Sequence, residues 1–332
     1  MSMNREMLRE TTEKLMAKHK GILAMDESTG TIAKRFQDVG VENTEDNRRA
    51  YREMLITAPN LGKFISGAIL YDETLKQKTH DGILFSDVMK NQGIIPGIKV
   101  DKGVKDLAGF PGETVTEGLD ELRERLKGYA MLGAKFAKWR ATFSISSTTP
   151  TWNAIQSNAH AMARYAALCQ EQQIVPIVEP EVLMESKHTI QQSYEVTRNV
   201  HLALFTELRK HNVALDGLIL KTNMVLPGYS NPKAHPEEVA EQTVMCFMET
   251  VPAAIGGIVF LSGGQSDEDA TTHLNMINKM FKDVPWRLTF SYGRGLQREP
   301  LKIWASEKDK VKAQKALLLR AEENAKASEG LL

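Results

Sequence analysis

Gly217-Leu218-Ile219-Leu220-Lys221-Thr222-Asn223 sets aliphatic residues in a row, ends them on a single lysine, and is followed by a turn at Pro227-Gly228. Such a run reads as a strand of a parallel sheet, buried on both faces. Lys221 then stands at the C-terminal end of the strand, where folds of alternating strands and helices carry their chemistry. An ammonium held against apolar walls loses solvation, which favours the neutral amine, a nucleophile able to form a Schiff base with a carbonyl substrate. A lysine there equally marks the point where a strand meets solvent, so this stretch alone decides nothing. The rest of the chain repeats its pattern.

Eight short apolar runs end in polar or charged residues: Gly21 to Asp26, Ile65 to Asp72, Ile94 to Asp101, Ala134 to Arg140, Ile174 to Glu181, Gly217 to Asn223, Gly257 to Gly263 and Arg287 to Gly293. Helical patterns lie between most of them. Thr116 is placed to cap a helix with Leu119, Leu122, Leu126 and Tyr129 on one face. Ile190, Tyr194, Val196, Val200, Leu204 and Leu208 form another apolar stripe. Ser266 precedes Asp267, Glu268 and Asp269 in the manner of a capping box, with Ala270, Leu274, Ile277 and Phe281 following at helical spacing. Alternation of strand and helix implies parallel strands joined by right-handed crossovers. Eight units predict a closed (β/α)8 TIM barrel, an α/β fold, with an open doubly wound sheet as the second architecture. The expectation is one domain over residues 1–332 with additional N- and C-terminal helices, the C-terminal helical segment spanning about 298–328.

The composition, 42% hydrophobic and 25% charged, is that of an ordinary globular chain. Lys+Arg and Asp+Glu both number 42, so nothing global favours nucleic acid or an anionic membrane, and any anion site is local. Cys169 and Cys246, far apart in helix-like stretches, argue against a disulfide framework and for a reducing compartment. The N-terminus, from Met1 through Glu6, starts a charged amphipathic helix and lacks the apolar core of a signal peptide, and no run approaches membrane-spanning length. A soluble cytoplasmic protein is expected.

The strand ends hold the chemistry. Side chains alternate faces with period two, so Lys99 and Asp101 share a face, as do Lys138 and Arg140 with Trp139 turned to the helices, and Glu179 and Glu181. Each pair alone reads as a structural cap. Together with Asp26 and Lys221 they gather acids and bases at one barrel mouth at a density that scaffold stability does not require, since buried ion pairs are weak stabilisers. Two glycine-rich turns, Leu261-Ser262-Gly263-Gly264-Gln265 and Phe290-Ser291-Tyr292-Gly293-Arg294-Gly295, follow the seventh and eighth runs, the usual phosphate position of such barrels. Their backbone N–H groups, a helix N-terminus and the Arg294 fork favour an anion.

At this point the chain resembles the class I fructose-1,6-bisphosphate aldolases. The resemblance rests on GILAMDEST (21–29), IKVDKG (98–103), FAKWR (136–140), VPIVEPE (175–181), LKTNMV (220–225), FLSGGQS (260–266) and FSYGR (290–294). It runs from the first helix through Trp304. It implies a (β/α)8 barrel, a homotetramer, and reversible, metal-independent cleavage of fructose 1,6-bisphosphate to dihydroxyacetone phosphate and glyceraldehyde 3-phosphate in glycolysis and gluconeogenesis, with no cofactor. By position in LKTNMV it makes Lys221 the Schiff-base lysine and Glu179 the acid/base. Asp26 resembles the catalytic aspartate. Lys138 would polarise substrate oxygens and repel the charged form of Lys221, and Glu181 would tune Glu179. The C1 phosphate would lie on Ser262, Gly263, Gly264, Ser291, Gly293 and Arg294; the candidates for the C6 phosphate are Ser28, Arg35, Lys99 and Arg140. Partners by analogy are a phosphorylated sugar and, in an adaptor role, the cytoskeleton.

Three departures stand out. Thr222 occupies a position where many relatives carry proline, with an expected effect on strand-end rigidity. Thr31 stands where relatives often have serine. The chain ends at Glu329-Gly330-Leu331-Leu332 without the long, tyrosine-ended tail of animal members, which leaves open the group that exchanges the proton at the enamine carbon. Rival readings are another Schiff-base barrel such as a transaldolase, for which Lys99 or Lys138 could serve as nucleophile, and a non-catalytic protein-binding scaffold. A metal-dependent aldolase fits poorly, because the eight histidines show no close ligand pairing and none lies at a marked strand end.

Overall fold

All eight runs form strands of one closed barrel. The structure, a computed structural model, describes residues 4–332. Ten strands occur in chain order: β1 (Gly21–Met25), β2 (Ile65–Leu70), β3 (Ile95–Lys99), β4 (Val104–Asp106), β5 (Thr114–Thr116), β6 (Phe136–Phe143), β7 (Val175–Val182), β8 (Ile219–Thr222), β9 (Gly257–Phe260) and β10 (Leu288–Tyr292). The barrel order is β1-β10-β9-β8-β7-β6-β3-β2, parallel throughout, and β1 pairs with both β2 and β10. That closure excludes the open sheet. Met1 to Met3 lie outside the described residues; the first helix runs Arg5–Leu15, with the Asn4 side chain accepting from the Met7 N–H at 3.2 Å.

Period two sorts the strand residues into two apolar layers. Inside the barrel, Ile22, Ala24, Ile69, Phe136, Val175, Ile177, Ile219 and Val259 pack together, joined by Leu8, Leu15 and Met16 from the N-terminal helix and its end. This helix therefore plugs the N-terminal end of the barrel and leaves the other end open. Outside, alternate residues such as Trp139 face the helices, and Trp139 stacks on Tyr165 at 5.5 Å. Small residues make room for the plug: a Cβ at Gly97 would lie 2.2–2.5 Å from three ring atoms of Phe136, and one at Gly257 2.5 Å from Met16 Cε.

Two local expectations change. Thr116 does not cap a helix; it ends β5, which pairs antiparallel with β4 in a small hairpin. Its hydroxyl donates to Arg140 O at 2.7 Å and its N–H to Asn158 Oδ1 at 3.1 Å, so this hairpin braces the edge of β6. The helix starts later, at Leu122–Met131, with Glu121 in a left-handed conformation before it. The C-terminal segment is two helices, Arg294–Ser306 and Lys310–Ala327, and Asp309 caps the second by accepting from Lys312 N–H. Ser266 caps Asp267–Met280 as expected, through Asp269 N–H. Cys169 and Cys246 are buried and unpaired.

Thr222, on β8 next to Lys221, points outward into a buried polar chain. Thr250 spends its hydroxyl proton on Cys246 O at 2.7 Å, so His201 Nδ1 donates to Thr250 Oγ1 at 3.3 Å. His201 Nε2 then accepts from the Thr222 hydroxyl at 3.1 Å. Burial brings the His201 pKa down to about 3, so the ring is neutral and the assignment holds at physiological pH. This chain ties the outer side of the lysine-bearing strand to its helices, a bond a proline could not make.

Two stability outcomes follow. Gly97→Ala overpacks the barrel floor and lowers unfolding stability by about 1–3 kcal/mol; Phe136→Leu in the same chain recovers part of the loss in denaturant titration. Thr222→Val leaves His201 without its donor and lowers stability by about 1–3 kcal/mol. An unchanged denaturation midpoint in Thr222→Val would remove the polar chain from the account of this strand.

Candidate active site

The inward positions of β1, β3, β6, β7 and β8 continue past the apolar plug into charge. On β6, Phe136 lies in the floor and Lys138 and Arg140 follow on the same face; on β7, Val175 and Ile177 give way to Glu179 and Glu181; on β8, Ile219 precedes Lys221. Lys99 and Lys138 sit opposite one another in register. Asp26 follows directly on β1.

Glu179 joins the two central ammoniums. Its Oε1 lies 3.0 Å from Lys221 Nζ and its Oε2 3.1 Å from Lys138 Nζ, and Lys138 is also 2.8 Å from Asp26 Oδ2. All four side chains are buried. Burial opposes ionisation of Asp26, but the fields of Lys138 and then Lys221 outweigh it and bring the carboxyl down to about 2. Glu179 is likewise held below the usual carboxylate range, burial being outweighed by Lys138, Lys221 and Arg140. Burial works against the charge on Lys138 too, yet Asp26 and Glu179 raise its pKa. The apolar walls expected around Lys221 are therefore replaced, on one side, by a carboxylate. The strand residues before Lys221 are apolar, but the neighbouring strand contributes Glu179 at the same height.

Farther toward the mouth, two residues along β7 from Glu179, Glu181 Oε2 pairs with Arg140 Nε at 2.5 Å. Asp101 holds Lys99 through Oδ1 at 2.6 Å and accepts from Arg140 N–H through Oδ2 at 3.3 Å.

Two adjoining cavities open here. One, of about 210 Å³, is lined by Asp26, Lys138, Glu179 and Lys221 at its base and by Ser262, Gly263, Ser291, Gly293, Arg294 and Arg35 on one side. The other, of about 600 Å³, is lined by Lys102, Arg125 and Tyr129 among others, and the two share Ser28, Thr31, Lys99 and Arg140. Ser291 Oγ is buried with no hydrogen-bond partner, an orphan facing the first cavity's wall and available to a ligand. Ser28 caps the helix Thr29–Asp38, accepting from Thr31 N–H, so the positive end of that helix also faces the site.

Arg35 lines the first cavity between Ser28, Lys99 and Arg140 and the strand-eight turn, and Gly264 lies outside that lining. An Arg35 Nη2 lies 3.9 Å from where a Gly293 Cβ would be, on the side of the strand-eight turn. Its guanidinium is paired with Glu27, which also accepts from Gln297 Nε2 at 3.1 Å. Its place on an α-helix, seven residues beyond Ser28, turns it to that side. Gly264 lines a separate, more apolar cavity with Tyr229, and a Cβ there would collide with the Tyr229 hydroxyl. Glu27 and Thr31 are the residues missed as members of the site. GILAMDEST contains Glu27, but only the fold shows which cation it holds, whereas Asp101 pairs with Lys99, the residue the sequence set on the same face.

The histidines also need a correction. Sequence spacing shows no ligand pairing, yet His160 and His211 meet beside Glu207 on the helix layer, outside the mouth. They lie on successive helices, Trp152–Glu171 and, just past its end, Ile190–Lys210, so only tertiary packing brings them together.

Comparison with known proteins gives the family. The family described as fructose-bisphosphate aldolase class-I matches residues 7–332. A probable class 1 fructose-bisphosphate aldolase of Xanthomonas campestris is 56% identical over 331 residues, 99% of each chain. The cytosolic fructose-bisphosphate aldolase 4 of Arabidopsis thaliana is 54% identical, over 94% of this chain and 80% of that one. Among solved structures, the fructose-bisphosphate aldolase of Plasmodium falciparum, in complex with TRAP and a small-molecule inhibitor, superposes with a TM-score of 0.96 at 47% identity, covering 98% of this chain and 94% of that one. With its closed parallel barrel and a match along nearly its whole length, the chain belongs to the class I fructose-bisphosphate aldolases and is an enzyme, a lyase.

Proposed function

We propose that this aldolase works through a Schiff base on Lys221, with Glu179 moving the protons. The observation that carries the reading is the shared Glu179 carboxylate, one oxygen on Lys221 and the other on Lys138. Transfer of a proton from Lys221 Nζ to Glu179 frees the amine lone pair, which attacks C2 of the open-chain ketose bisphosphate. The attacking nitrogen gives up a proton to the new alkoxide, forming the neutral carbinolamine; Glu179 then returns its proton to that hydroxyl oxygen, which leaves as water, and the iminium remains. Glu179, again a carboxylate, takes the proton of the C4 hydroxyl as C3–C4 breaks. The bonding pair moves into the iminium to form an enamine, and glyceraldehyde 3-phosphate departs. Protonation at C3 and hydrolysis release dihydroxyacetone phosphate and restore Lys221.

Lys138, kept charged between two carboxylates, donates to the carbinolamine oxygen and to substrate hydroxyls; Asp26, ionised throughout, offsets the cationic intermediate. Glu181 orients Arg140. The C1 phosphate is assigned to Ser262, Gly263, Ser291, Gly293 and Arg294, with Arg35 added on the strength of its position beside Gly293. Gly264 shapes that turn from behind. The C6 phosphate goes to Ser28, Thr31, Lys99 and Arg140, the lining common to both cavities.

The whole chain is read as one domain acting in glycolysis and gluconeogenesis in the cytoplasm. Cytosolic relatives support the location, as does the finding that no helix among the described residues is long and apolar enough to cross a membrane. A homotetramer is the assembly we adopt, and exposed Met245, Met248 and Met280 beside a shallow surface cavity supply apolar area for a subunit contact.

Borohydride reduction in the presence of dihydroxyacetone phosphate is expected to place the adduct on Lys221, unaffected by EDTA, and Lys221→Ala to abolish both adduct and cleavage. Peptide mapping that found the adduct on Lys138 or Lys99 would overturn the assignment; activity lost to EDTA without any adduct would overturn the mechanism. The phosphate assignment is checked by comparing fructose 1,6-bisphosphate with fructose 1-phosphate. Arg35→Ala is expected to lower kcat/KM about 10- to 100-fold on both substrates, whereas Lys99→Ala does so on the bisphosphate alone. If Arg35→Ala spares fructose 1-phosphate, Arg35 belongs to the C6 end instead.

A further inference from the structure

On the outer helix layer, away from the barrel mouth, two imidazoles flank one carboxylate. His160 Nδ1 lies 3.2 Å from Glu207 Oε2, and His211 Nδ1 lies 3.8 Å from the same oxygen. One ligand atom from each of the three residues falls within 4.8 Å of the others, and this is the only such His/Cys/Asp/Glu group among the described residues. Around a tetrahedral zinc ion with bonds of about 2.0–2.1 Å, neighbouring ligand atoms stand about 3.3 Å apart. The His160–Glu207 spacing already has that value; His211, whose Nδ1 is held by the Glu207 carbonyl, would ligate through Nε2, brought in by rotation of the partly buried ring.

The surroundings orient the groups as ligands. Lys210 Nζ holds the other carboxylate oxygen, Oε1, at 2.8 Å, and Glu207 is buried, so Oε2 is presented in a fixed direction. His211 Nδ1 is 2.9 Å from the Glu207 carbonyl oxygen; donating its proton there leaves Nε2 with the lone pair, the second hydrogen bond that commonly fixes a metal-ligating imidazole. The two rings stand 4.9 Å apart, edge to face.

We propose that His160, Glu207 and His211 form a surface binding site for a borderline divalent transition ion, zinc above all, with its remaining coordination positions open to solvent. Two nitrogens and one carboxylate oxygen suit zinc better than calcium or magnesium, which favour all-oxygen shells. The ion would staple the helix Trp152–Glu171, which follows β6, to the helix Ile190–Lys210, which follows β7. These are the strands that carry Lys138, Arg140, Glu179 and Glu181, so the staple acts on the scaffold of the site and takes no part in its chemistry.

The test uses the full-length protein, stripped with chelator and returned to chelator-free buffer. Zinc chloride is titrated against a chromophoric zinc indicator, and the Tm is measured with and without the metal. One zinc per chain at micromolar affinity is expected, with a Tm rise of about 3 °C at saturation. His160→Gln and His211→Gln, each folded by circular dichroism and with aldol cleavage unchanged, are expected to weaken binding by about tenfold or more and to abolish the Tm rise. His160 is exposed, so its substitution leaves the core untouched. The buried thiols of Cys169 and Cys246 offer no competing ligand at the surface. Absence of saturable binding, or binding that survives both substitutions undiminished, overturns the site.

Discussion

Four ionisable side chains are buried in contact at the centre of this barrel, and everything around them is arranged to make that tolerable. Asp26, Lys138, Glu179 and Lys221 alternate in sign along one chain of ion pairs, 2.8, 3.1 and 3.0 Å in turn. Any one of them alone would face the full penalty of desolvation; as an alternating row each has an opposite neighbour and the group is neutral. Such a row contributes little net stability compared with packed hydrocarbon. In the proposed mechanism its use is chemical, since it supplies an amine, a proton acceptor and a fixed cation side by side.

Holding the row in place requires a floor that does not yield. The plug formed by Leu8, Leu15, Met16 and Phe136, fitted against Gly97 and Gly257, supplies it directly below the charges. Above the floor, each charged residue is two positions farther along a strand whose earlier inward residue is locked in the apolar layer. The hairpin from Val104 to Thr116 and the His201–Thr222 link brace β6 and β8 from outside. Strand ends thus become rigid supports, which is what a reaction depending on proton transfers over hydrogen-bond distances needs.

That dependence on period two explains why so much of the molecule was legible in its sequence. A strand buried on both faces shows as a short aliphatic run, and a charge at its end inherits its direction from the residues before it. Lys138, Glu179 and Lys221 could be placed on one face without any structure. Elements lacking a core signature were not legible in this way. The strands Val104–Asp106 and Thr114–Thr116 are three residues each, the first fully exposed, so Thr116 read as a helix cap. Arg35 sits on a helix, where a turn of the chain decides which phosphate end it faces. His160 and His211 are brought together only by the packing of two helices, and no spacing rule relates residues so distant in sequence.

The row also distinguishes its two central lysines, which strand position could not. Lys138 has two carboxylate neighbours and Lys221 has one. Moving a proton from Lys221 to Glu179 neutralises that pair and leaves Lys138 beside an ionised Asp26, so the remaining charges still balance. Moving it from Lys138 to Glu179 leaves Asp26 without its contact partner in a buried site and Lys221 without its counter-ion. The second arrangement uncovers two buried charges where the first uncovers none. Chain connectivity of the ion pairs, more than the position of either strand, therefore supports Lys221 as the nucleophile and Lys138 as the cation that stays charged through the cycle.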